Sequence, residues 1–181
     1  MNARLIINNI EIVLGFRELE EIAFTLDDSP DKKDVFHELA GSAASEIRNT
    51  VASCRHLHRR TIRQLIDDTA LEVMRTVITT DKTRRHMTTA DMERYLDTGD
   101  CDILAALARD LEEVTDIHEV CEKDWLCEKL VHQAEPAVRC ALAENEDTPV
   151  FFLRKLTDDS DVNVATRAAQ TLREMDEDPT E

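Results

Sequence analysis

One segment of this 181-residue chain repeats itself at a fixed offset of 91 residues. Residues 46–73 and 137–164 align without a gap and share Arg48/Arg139, Ala52/Ala143, Arg63/Arg154, Leu65/Leu156, Asp67/Asp158, Asp68/Asp159 and Val73/Val164. Similar apolar residues fill Ile47/Val138, Val51/Leu142 and Ile62/Leu153. Each copy reads as two short amphipathic helices joined by a polar loop. A unit of that kind cannot bury its apolar face alone, so copies must stack and cover one another. The repeat therefore commits the chain to a stacked helical array.

Composition agrees. Three Gly and four Pro leave little room for hairpins or long flexible loops. With aromatics at 4%, the core must be built from Leu, Ile, Val and Ala, which suit closely spaced helices better than a sandwich.

The order of elements follows from periodicity. Residues 3–26 read as one amphipathic helix, because Ile12, Phe16, Leu19, Ala23 and Leu26 recur at helical spacing. Asp27-Asp28-Ser29-Pro30 ends it, and Ser29 with Pro30 starts the next helix over 31–40. Gly41-Ser42 is the expected joint to the repeats. The inward β-branched residue of each first helix is Ile47, Val73, Ile103, Val138 and Val164, at spacings of 26, 30, 35 and 26. Second helices are expected around Ile62–Ile66, Met92–Leu96, Leu126–Val131 and Leu153–Leu156. The expected organisation is a helical cap over 1–41, about four and a half repeats over 42–175, and a disordered acidic tail over 176–181, all in one structural domain.

Residues 137–170 resemble the leucine-rich repeat variant, a short-period relative of HEAT repeats. The residues that carry the resemblance are Val138, Arg139, Ala141, Leu142, Asn145, Thr148, Pro149, Leu153, Leu156, Asp159, Asp161 and Val164. It holds over one repeat, weakens at 46–73 where Thr-Pro is missing, and fades over 74–134. It implies an all-α fold, a right-handed α-solenoid of HEAT-like repeats with an N-terminal helical cap, and a binding surface in place of a catalytic site. Pro149 suits a first helical turn and Thr148 can cap it. Asp158, Asp159 and Asp161 are expected to cap helix starts, not to hold a metal.

The net charge of −17 argues against binding nucleic acid or an anionic membrane through the whole surface. Its distribution is uneven: residues 42–100 carry 10 basic and 9 acidic groups, whereas 101–181 carry 8 basic and 21 acidic. The loops between first and second helices show the same trend. Arg55, His56, His58, Arg59 and Arg60 mark the first loop, and Lys82, Arg84, Arg85 and His86 the second. Glu112 and Glu113 follow in the third, then Glu144, Glu146 and Asp147 in the fourth. The cations are a candidate rim for phosphate or carboxylate groups, and the carboxylates a candidate acidic surface. Opposite charges on two loops would also let two copies associate.

Metal binding and catalysis have little support. His56 and His58 with Cys54 lack a second ligand pair at zinc-site spacing, and the five cysteines are spaced too loosely for an iron–sulfur cluster. No glycine-rich phosphate loop or nucleophile elbow occurs, and His118, Cys121 and Glu122 converge with no third group. No cofactor is expected. No stretch is apolar enough to span a bilayer, and Asn8, Asn9 and Glu11 interrupt the N-terminal run. A cytoplasmic protein with reduced, structural thiols is expected. Trp125 is expected to fill the core.

The leading functional expectation is a non-catalytic module that binds a protein partner through its helical face and charged rim. The alternative is an acidic inhibitor that imitates nucleic-acid charge and blocks a nucleic-acid-binding enzyme. Direct nucleic-acid binding through the arginine loops is opposed by the overall charge.

Overall fold

Ile47, Val73, Ile103, Val138 and Val164, the residues that mark successive first helices, are all completely buried. Each sits where two apolar helix faces meet, as the repeat requires. The computed structural model describes residues 3–7, 9–111 and 120–177. The fold is all-α, of α-solenoid type, with one β-hairpin at the start. The chain divides into two compact units, Met1–His86 and Met87–Glu181. The expected joint at Gly41-Ser42 falls inside the first unit.

The first unit opens with strands β1 (Ala3–Ile7) and β2 (Ile10–Leu14), which pair antiparallel with Ile7 opposite Ile10. This corrects the expectation of one helix over 3–26, and with it the all-helical cap. Ile6, Ile7, Ile10, Ile12 and Val13 are β-branched and favour extended backbone, and Asn9 turns the chain at φ 65°, a conformation that Asn tolerates. Helix begins only at α1 (Phe16–Thr25), which buries Leu19 and Ala23. A 3₁₀ turn at Pro30–Lys32 leads into α2 (Lys33–Leu39). Ser29 does not cap it, since its hydroxyl donates to Asp31 Oδ1 at 2.6 Å.

Then come α3 (Ser45–Ala52), α4 (Arg59–Ile66), α5 (Leu71–Thr79) and the short α6 (Asp81–Arg84). Helices α1, α3 and α5 lie side by side as one layer, while α2 and α4 back it. Phe36, Ile47, Val51, Ile62, Leu65, Ile66, Val77 and Ile78 fill the space between.

In the second unit, α7 (Thr89–Leu96) is held by a capping box between Thr88 and Asp91. Gly99 turns the chain at φ 63°, which a side chain would strain, and Asp100 caps α8 (Cys101–Arg109) through the Ile103 amide at 3.2 Å. Next are α9 (Val120–Val131), α10 (Pro136–Glu144), α11 (Val150–Leu156) and α12 (Val162–Glu177). Helices α8, α10 and α12 form one layer, and α9 and α11 cover α10 from the other side. Helix α12 runs through residues 176 and 177, where a disordered tail was expected to begin. Residues 178–181 lie outside the described residues.

Candidate functional site

The residues repeated at the 91-residue offset make the same set of bonds twice. Arg48 Nη2 donates to Asp68 Oδ1 at 2.9 Å, and Arg139 Nη2 to Asp159 Oδ1 at 2.9 Å. In each pair Nε donates to the second carboxylate oxygen. Nη1 of Arg48 reaches back to the carbonyls of Ser42 and Ala43, as Nη1 of Arg139 does to Gln133 and Ala134. The carboxylate then accepts the backbone amide two residues ahead, Ala70 for Asp68 and Asp161 for Asp159. The planar guanidinium is suited to such a two-pronged grip. Arg139 holds the Asp159 carboxyl below its usual range. Burial opposes ionisation of Asp68, but Arg48 and the Ala70 amide outweigh it and the carboxyl is again lowered.

In the two intervening repeats the residue after the landmark is Met74 or Leu104, both buried, so packing replaces the clamp there. Asp161 caps α12 through the amides of Asn163 and Val164. Asn145 donates to the carbonyls of Ala108 and Arg109, both at 2.9 Å, and so ties α10 to the end of α8. Thr148 does not cap α11. Its buried hydroxyl donates 2.7 Å to the Leu142 carbonyl at the end of α10, and Pro149 takes the cap position. Thr83 repeats this contact with Val77.

The loop cations of the first unit are largely engaged within it. Asp28 accepts the backbone amides of Arg55 and His56 at 2.5 and 2.9 Å, and the His56 ring lies 3.1 Å from the same carboxylate. Burial raises the Asp28 carboxyl, but those three contacts hold it below its ordinary value. His58 and Arg60 both face Asp34, at 3.0 and 3.3 Å. Lys82 donates to the Arg55 carbonyl. Arg84 is not a rim residue. It is 2% exposed, donates to the Ile78 carbonyl and pairs with Asp81, because the short α6 turns it inward. Arg55, Arg59, Arg60, Lys82, Arg85 and His86 remain exposed.

In the second unit Glu144, Glu146 and Asp147 are exposed, and Glu144 pairs with Arg167 at 3.1 Å. Glu112, Glu113 and His118 lie outside the described residues, as do the side chains of Cys121 and Glu122. Tyr95 is fully buried. Trp125 is only half-buried and lines a cavity of about 370 Å³ with Glu93, Asp97 and Lys129, so it is not a core residue in the expected sense.

A groove of about 770 Å³ opens in the first unit. Helix α1 contributes Arg17, Glu20, Glu21 and Phe24, which share one face at i, i+3, i+4 and i+7. Glu46, Asn49 and Thr50 come from α3, and Glu72 from α5. The opposite face of α1 is buried through Leu19 and Ala23, so Phe24 is turned outward and is 82% exposed. Sequence reasoning took this segment as a cap and missed the groove. The available signal was the second stripe on α1, apolar at Phe24 and acidic at Glu20 and Glu21.

These bonds and layers define a helical-repeat protein. Residues 136–161 match the family described as Leucine rich repeat variant, over the stretch that carries the second Arg–Asp clamp, Asn145 and Thr148. The chain also bears a weak likeness to a crystal structure of computationally designed armadillo repeat proteins for modular peptide recognition. That likeness has 15% identity, a TM-score of 0.39, and coverage of 87% of this chain and 90% of the other. No curated protein matches. Among the described residues no helix is long and apolar enough to cross a membrane.

Proposed function

We propose that this chain is a non-catalytic, cytoplasmic protein-binding module whose partner docks on the outward layer of α1, α3 and α5. The observation that carries the reading is the groove across that layer, with Phe24 projecting into solvent. A large aromatic side chain projecting from an open groove is what interface anchors look like before a partner covers them. The shifted aspartates of the two clamps and of the Asp28 loop contacts support the same reading. The perturbed carboxylates Asp28, Asp68 and Asp159 are accounted for by structural bonds, so they offer no acid–base pair for chemistry. The exposed loop cations would tune charge selectivity at the margin of the interface and would not anchor it.

The test is a photo-crosslinking side chain placed at position 24, with Glu146 as a control position. A discrete cross-linked protein from position 24 alone is the expected result. Equal, diffuse labelling from both positions would remove the module reading.

A second reading has one observation of its own. The charge of −17 and the exposed Glu144, Glu146 and Asp147 suit an acidic decoy of nucleic acid. Binding by such a decoy would fall steeply with salt, whereas apolar anchoring through Phe24 would be far less sensitive.

A further inference from the structure

We infer that the groove over α1, α3 and α5 takes a basic peptide segment in which lysines and arginines flank one large apolar side chain. The inference rests on the protein-binding reading above and names the chemistry of the partner. Four carboxylates line the groove, Glu20, Glu21, Glu46 and Glu72, against the single cation Arg17. Glu72 is occupied, since it accepts a hydrogen bond from Ser45 that holds it below its usual value. Among the described residues no Lys, Arg or His nitrogen lies within ion-pair distance of Glu20, Glu21 or Glu46. Asp34, Asp67 and Asp68 each pair with a guanidinium, whereas Glu20 and Glu21 pair with none and Glu46 and Glu72 feel Arg48 without pairing with it.

The surface therefore offers two complementary features side by side. Phe24 supplies apolar area, with the Thr25 and Thr50 side chains beside it in the same lining. The carboxylates lie three and four residues before it on α1, and across the groove on α3. Helical rise places Arg17 and Phe24 about 10 Å apart along α1. A partner residue seated against Phe24 thus has carboxylates within reach of its neighbours on either side, and Arg17 marks the end of the acidic zone. An anionic partner meets repulsion in the same place. A second copy of this chain is disfavoured by the charge of −17 it carries.

The probe is a fluorescein-labelled synthetic peptide with lysines and arginines around a central phenylalanine. One control peptide replaces its cations by glutamate, another its phenylalanine by serine. Anisotropy is read with the full chain and with the variants E20K/E21K, F24S and E146K/D147K. Glu20 is half-buried and the other altered side chains are exposed, and circular dichroism checks each fold. The native chain should bind the basic peptide and neither control. E20K/E21K and F24S should each weaken binding by about tenfold or more, and E146K/D147K, with the same charge change elsewhere, should leave it unaltered.

Equal weakening in E146K/D147K would show diffuse attraction and overturn the inference. So would unchanged binding in E20K/E21K, or no binding by the native chain. A chain that ignores the basic peptide yet gives a discrete cross-link from position 24 keeps the protein-binding reading and loses this one. A cross-link between two copies through position 24 overturns the basic partner in favour of self-association, and loss of both signals overturns both readings.

Discussion

Arg139 grips Asp159, 20 residues further along the chain, through two guanidinium nitrogens while its third reaches the Gln133 and Ala134 carbonyls just after the preceding helix. One side chain thereby joins the end of α9, the start of α10 and the turn after α11. Both partners are nearly buried, with side chains 11% and 9% exposed. A charge left behind in such a place is costly, because water cannot replace the lost partner.

Arg139→Met should therefore destabilise the protein by about 3 kcal/mol, and Arg48→Met by a similar amount. Urea unfolding of each variant checks this. Replacing both partners, Arg139→Met with Asp159→Leu, should recover part of the loss, since no buried charge is then stranded. If the double variant is as unstable as the sum of the singles, the pair is not coupled.

Acid should loosen the protein through the same groups. Asp28, Asp68 and Asp159 all have carboxyls held below the ordinary value of 3.8. A depressed folded value means each contributes stability that is fully present above the unfolded value. That stability is lost as pH falls through the folded value. Stability should fall as pH drops below about 4, with the unfolding midpoint shifting to lower urea. In Asp28→Asn the Arg55 and His56 amides should exchange with solvent faster than in the native chain, and with less dependence on pH.

Thr148 and Thr83 each satisfy a carbonyl at the end of a first helix from a fully buried hydroxyl. Thr148→Val keeps the shape and removes the donor. It should cost about 1–2 kcal/mol, and Thr83→Val should cost about the same. Thr148→Ser, which keeps the donor but not the methyl, should cost less than Thr148→Ala; the reverse order would show that the hydroxyl is not the important atom.

Thiol reactivity should rank by burial. Cys127 is fully buried, which pushes its thiol up to about 12, and burial takes Cys54 up to about 11. The thiolate is the reactive form, so neither should be labelled by Ellman's reagent at pH 8 while the chain is folded. Labelling of Cys127 should track urea unfolding, and rapid labelling in the absence of urea would contradict its buried position.

Much of this architecture could be read from the chain alone, and the reason is periodicity. Burial of Ile47, Val73, Ile103, Val138 and Val164 was expected from spacing, and the second helices fall where their apolar clusters placed them. Residues 3–14 were misread because Ile and Val serve either a helix face or a strand, and weight was given to the pattern continuing into α1 over the two asparagines between Ile7 and Ile10. Arg84 was misplaced because a four-residue helix reverses which side of a basic loop faces inward. The groove was not legible for a different reason. It is a property of three helices side by side, and only tertiary packing brings Phe24 of α1 near Glu46 of α3 and Glu72 of α5.

The clamp also fixes the reading frame in which this protein can be cut or extended. Its bonds run from residue 42 to residue 70 and again from 133 to 161, so each frame begins just after the helix that precedes the repeat and ends at the start of the one after it. A splice placed at either end of such a frame hands over a finished module. A splice placed at the loop between the two helices of a repeat, where a diagram would invite it, separates an arginine from its aspartate and leaves one of them in the dark.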